Sequence, residues 1–209
     1  MKGKNVLFAV VALGCAAGIT ATVHRSEGNT PAASTVREIV VPLGNSDRSA
    51  LAEGDTLRKA HKFREAIEAY EKAIDSGISD EAILAEAEYN IGLSHTWLGE
   101  YDTAEAVFNR MLTAYKDNPN AVGYAEYCLA WIEVQKGRYK EAVARLERVR
   151  RESKITDSEL NASICFQLGR INMKYLKNDT VASGYFKTIH DSYPATKAAH
   201  HYFVTGVNE

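Results

Sequence analysis

The sequence predicts an all-α protein: a right-handed α-solenoid of about four helix-turn-helix repeats, closed by a C-terminal capping helix. Three observations predict it. Alanines at 66, 104, 142 and 182 recur at intervals of 38, 38 and 40 residues. Each is followed four residues later by Tyr70, Phe108, Leu146 or Phe186, and three after that by Ala73, Met111, Val149 or Ile189. Steps of four and three place all three side chains on one helical face. The four prolines, Pro31, Pro42, Pro119 and Pro194, leave two long stretches without one, and an interior proline would cost a helix about 3 kcal/mol. Helix pairs of this kind cannot cover their apolar faces alone, so successive pairs must stack.

The chain opens with Lys2 and Lys4 before an uncharged apolar run over 6–23. That length exceeds the core of most signal peptides and just reaches a membrane span. A cleaved signal and a retained anchor both remain open for 1–23. The two lysines keep that end on the cytoplasmic side and send the rest across. Residues 24–45 change composition, with Ser26, Gly28, Asn29, Pro31, Ser34, Pro42 and Gly44, and read as a linker. Within it, 36–41 reads as a short extended segment with no sheet to join. Removing the four basic and two acidic residues of 1–45 leaves 21 basic and 25 acidic residues, a net charge of −4. No basic surplus exists to neutralise phosphates, which argues against nucleic acid.

Residues 46–193 hold the repeats. Tight turns at Gly99-Glu100-Tyr101 and Gly137-Arg138-Tyr139 have counterparts at Ala60-His61-Lys62-Phe63 and Lys177-Asn178-Asp179, where glycine takes up the left-handed backbone that closes a helix. The first helix of each pair carries Gly54, Gly92, Ala130 or Gly169, small residues for a close crossing. Thr156-Asp157-Ser158-Glu159 fits a capping box, and Ser79-Asp80-Glu81 supplies a cap and acids at a helix start. Gly184 is out of place in mid-helix. Residues 194–209 read as a capping helix and tail, with Ala198, Ala199, Tyr202 and Phe203 on one side.

The stretch Ala85-Glu86-Ala87-Glu88-Tyr89-Asn90-Ile91-Gly92, followed by Gly99 to Ala104 and Phe108, resembles a tetratricopeptide repeat, as does 63–73. The period exceeds the 34 residues usual for that family, and Glu88 stands where the family often has tryptophan. The longer period and the ending from Ser192 to Ala199 are similar to envelope and periplasmic members in bacteria. The resemblance implies protein binding in the concave groove of the solenoid. Tyr89, Tyr127 and Phe166 share one groove position in successive first helices, with Leu51 in the first unit. Asn90, Leu93, Trp97, Tyr124, Trp131 and Arg170 fall on or beside that face, and Asn90, Arg58, Arg170 and Lys174 are rim candidates. Large rigid side chains there bury area at little entropic cost. The carboxylate clamp of some family members is absent: Asn90 matches one position, but Leu51, Asp55, Tyr124 and Cys128 replace the others.

No catalytic constellation stands out. The six histidines match no ligand spacing, and phosphate loops, nucleophile elbows and Cys-x-x-Cys motifs are missing. Neither a metal nor a cofactor is expected; Cys128 and Cys165 read as buried free thiols, with a disulfide between them the alternative if the domain is exported. The many acidic residues read as a solvated helix exterior paired with Lys and Arg. These readings lead to a non-enzymatic adaptor on the extracytoplasmic, periplasmic side, anchored through 6–23 or secreted after cleavage. Its expected partner is a protein or peptide segment. The alternative is a self-associating or accessory subunit of an envelope or membrane-bound enzyme complex.

Overall fold

A computed structural model describes residues 48–200. The segments 1–23 and 24–45, and Tyr202 and Phe203 of the expected cap, lie outside the described residues. A single 3-10 turn, Arg48–Leu51, runs into α1 (Ala52–Lys59), followed by α2 (Phe63–Asp75), α3 (Glu81–Trp97) and α4 (Tyr101–Ala114). Then come α5 (Pro119–Gln135), α6 (Tyr139–Glu152), α7 (Ser158–Lys174) and α8 (Asp179–Ser192). No strand interrupts the described residues, and no helix among them is long and apolar enough to cross a membrane.

Each helix packs on its predecessor and its successor, so the chain zigzags through four antiparallel pairs. The odd helices also touch along their own layer, α3 on α5 and α5 on α7, while the even helices make no comparable contact with one another. A layer whose members approach each other lies on the inside of a curve. The odd helices therefore form the inner layer of an all-α, tetratricopeptide-like solenoid, and the even helices form the outer one.

The recurring triplet builds the interior. Ala66, Ala104, Ala142 and Ala182 are buried, as are the residues four and seven places on in every pair. The small residue of the inner helix sets how closely the pair crosses. A Cβ on Gly92 would stand 2.6 Å from the Phe108 ring, one on Gly169 2.6 Å from Phe186, and one on Gly54 2.5 Å from Tyr70. The third pair has Leu146 in the aromatic's place and Ala130 in the glycine's. Ring and glycine, or leucine and alanine, are matched volumes in a close-packed interior.

Helix starts follow local chemistry. The Asp80 carboxylate caps α3, Asn118 caps α5 ahead of Pro119, Asp157 caps α7 and Asn178 caps α8. The expected capping box at Thr156 does not form, because Asp157 takes the cap position one residue later. Glu159 instead reaches the next helix start and accepts from the Lys197 and Ala198 amides, at 2.9 and 3.3 Å. The Thr196 hydroxyl takes the Ala199 amide, and buried Ala199 joins Cys165, Phe186 and Ile189 in a cluster at this end. The described part of the cap is thus tied to the last pair by one carboxylate.

The turn after each inner helix needs a left-handed residue. Gly99 and Gly137 supply it with φ +77° and +74°, whereas His61 and Lys177 adopt φ +59° and +56° in the equivalent places. Non-glycine residues there carry backbone strain of about 1–2 kcal/mol. Gly184 is the reverse case. It lies within α8, a Cβ there would meet nothing within 4 Å, and the helix gains nothing from its freedom. Gly184→Ala is expected to raise the unfolding free energy by about 1 kcal/mol, read as a higher midpoint in urea unfolding followed by circular dichroism.

Candidate interaction surface

The inner layer is where the sequence places the groove. Gly92, Ala130 and Gly169 mark the side of each inner helix turned toward its outer partner. At about 100° per residue, the positions of Asn90, Cys128 and Gln167, two before, lie about 160° away. Those of Glu86, Tyr124 and Ser163, six before, lie about 120° away. Together they define the inner face.

Tyr89, Asn90, Leu93, Tyr124, Tyr127 and Trp131, expected to line the groove, are all buried. Tyr89 packs between Phe108 and Tyr124, with ring centroids 6.4 and 5.3 Å away. The Tyr124 hydroxyl donates to Asp157 Oδ2 at 2.6 Å, stitching α5 to the start of α7. Trp131 meets the Tyr101 ring edge-on at 6.1 Å. Only Trp97, Phe166 and Arg170 of the nine keep partial exposure. Phe166 lies edge-on to Phe186, and the Arg170 guanidinium stands 5.8 Å from the Phe166 ring centre.

Among the rim candidates, exposed Lys174 sits over Tyr175. Arg58 belongs instead to the interior of the first pair, where its Nε donates to the Tyr70 hydroxyl at 3.2 Å and the Tyr70 hydroxyl donates to Asp55 Oδ1 at 2.7 Å. A position on a helical wheel gives a direction, whereas burial depends on what arrives from other turns of the chain, and no single-helix pattern contains that.

The acidic residues also depart from expectation. Glu86, Glu126 and Glu133 are buried rather than solvated. The Arg145 guanidinium donates to Glu126 and, through Nε and Nη2, to Glu133 Oε1 at 3.0 and 2.8 Å; Arg148 donates to Glu126 at 2.7 Å. Glu86 receives the Arg48 guanidinium. Burial pushes the Glu86 carboxyl up to about 7, and nearby Asp55 adds to this, while Arg48 and Arg58 oppose it. Cys128 and Cys165 are buried free thiols, and burial raises both above the ordinary thiol range.

One regularity escaped the sequence reading. Phe63, Tyr101 and Tyr139 each begin an outer helix, 38 residues apart, and each meets an aromatic ring of the following repeat. Phe63 stacks on Trp97 at 6.1 Å, Tyr101 meets Trp131, and Tyr139 stacks on Tyr175 at 4.1 Å. The signal was present as an aromatic opening three of the four second helices. Beside this ladder, Arg64 pairs with Glu100, Lys136 with Asp102 and Glu105, and Arg138 with Glu105. These pairs orient one repeat against the next and add little stability at such exposure.

The helix pairs find a counterpart among known families. A tetratricopeptide repeat family model matches residues 51–119, a third of the chain covering the first two pairs. Among curated proteins, none matches the chain.

Proposed function

We propose that this chain is a non-enzymatic adaptor that captures a segment of a partner protein on the inner face of its solenoid. Tetratricopeptide repeats generally mediate protein–protein interaction, and residues 51–119 match that family. The observation that carries the reading is the register of large side chains along the inner layer: Leu93, Trp131 and Arg170 in one row beside the inner face, and Tyr89, Tyr127 and Phe166 in the row behind it, turned toward the outer helices. Such rows suit an extended or helical peptide laid across the repeats. Export and tethering on the periplasmic side rest on Lys2, Lys4 and the apolar run 6–23.

The test uses two of the three partly exposed groove candidates, so that folding is spared. Affinity purification from native membranes with mass spectrometry identifies the partner. Phe166→Ala combined with Arg170→Glu is then expected to weaken its binding by about 30-fold or more, with helical content unchanged. Undiminished binding would remove the inner face as the capture site.

A further inference from the structure

The cations near Glu86 come from the first repeat, not from its own helix. Residues 81–97 contain Glu81, Glu86 and Glu88 but neither lysine nor arginine. Glu86 is 3% exposed, and among the described residues the Arg48 guanidinium is the one donor bonded to its carboxyl. Arg48 is shared, because its Nη2 also lies 3.6 Å from Asp55, and its side chain is 34% exposed. The other arginine, Arg58, is engaged by the Tyr70 hydroxyl and by Asp55, 3.9 Å away.

The remaining neighbours bring no further cation to Glu86. α3 packs on α2, α4 and α5. From α2 comes Tyr70, whose hydroxyl is bonded to Asp55. Arg110 of α4 pairs with Glu88, about 200° round the helix from Glu86. On α5 the same register holds Tyr124, its hydroxyl bonded to Asp157, and on α7 it holds Ser163. Glu86 is thus a buried acid with a shared counter-ion, in a row that is otherwise uncharged. A carboxyl so placed favours its neutral form. Neutral, it keeps an oxygen for Arg48, whose charge is met by Asp55 and water. Ionised, it needs water, and lifting the turn Arg48–Leu51 off α3 admits it.

We infer that the first two helix pairs are joined by a proton latch: a proton on Glu86 holds the turn Arg48–Leu51 and the start of α1 on α3, and its release in the neutral range loosens them. The latch belongs to this end of the solenoid and stands apart from partner capture. Burial pushes the Glu86 carboxyl from 4.5 up to about 7, with Arg48 opposing and Asp55 adding. The folded form therefore binds this proton more tightly than the unfolded chain does. Its stabilisation is full below about 4.5 and is lost as pH rises through about 7. A turn held by an ion pair would do the opposite and weaken on acidification.

Amide hydrogen exchange over 48–59, followed in the full chain in detergent and corrected for the intrinsic pH dependence of exchange, reads the latch. Protection there is expected to fall about tenfold or more from about pH 5 to about pH 8. Glu86→Gln keeps the shape and the acceptor for Arg48 but has no proton to lose, so its protection is expected to be equal at both. His61, in the turn after α1, is untouched by that change. Arg48→Met removes the opposing cation and is expected to move the fall to higher pH. Constant protection in the parent, protection that falls toward pH 5, or a fall retained in Glu86→Gln would each overturn the inference. So would a fall that Arg48→Met leaves in place or moves to lower pH.

Discussion

Replacing Arg145 by methionine is expected to lower the unfolding free energy by about 3–5 kcal/mol. Arg145 is the shared cation of two carboxylates on α5, Glu126 and Glu133, each under a tenth exposed. Its planar fork meets both at once, which a lysine would not do. Methionine keeps the length of the stem and removes the charge. Glu126 would retain Arg148, but Glu133, whose Oε2 already lacks a hydrogen-bond partner, would be left as a buried anion with none. The stranded charge, not the lost attraction, sets the magnitude. Glu133→Gln in the Arg145→Met background is therefore expected to recover at least half of the loss. Urea unfolding followed by circular dichroism decides it: an Arg145→Met chain within about 1 kcal/mol of the parent would mean that water reaches these carboxylates.

The second large effect is at the crossing of α3 and α4. Gly92→Ala puts a methyl 2.6 Å from the Phe108 ring, and Phe108 cannot yield freely because Tyr89 lies beside it. Overpacking of this kind costs about 1–3 kcal/mol. Phe108→Leu alone leaves a void and is destabilising as well. The two together reproduce the pair already present as Ala130 and Leu146 in the third repeat. The double variant is expected to be more stable than Gly92→Ala alone, with a coupling of about 1 kcal/mol or more in the double-mutant cycle. Additive losses would show that glycine and ring are not matched as a unit.

These two results bear on what was readable beforehand. The Ala104, Phe108 and Met111 register was legible because a helix repeats every 3.6 residues and its buried stripe repeats with it. The need for Gly92 was legible from the same alignment. The Arg145 cluster was not: Glu126 and Glu133 look like any exposed acids until α6 folds back over α5 and takes them out of water. Glu159 was misjudged for a similar reason. Its spacing from Thr156 fits a capping box, but Asp157 took that cap, and the carboxylate was left to bind the amides of Lys197 and Ala198, 38 and 39 residues away.

By itself, then, the chain determined its elements, their pairing and their stacking order, because helical periodicity, caps and turns act within a few residues and leave their marks in composition. Only the folded arrangement decided that Tyr89, Tyr127 and Trp131 are buried, that three glutamates lie inside and that aromatic rings clasp one repeat to the next. Burial is a property of neighbours brought together across the chain, and a residue carries no local sign of what will come to rest on it.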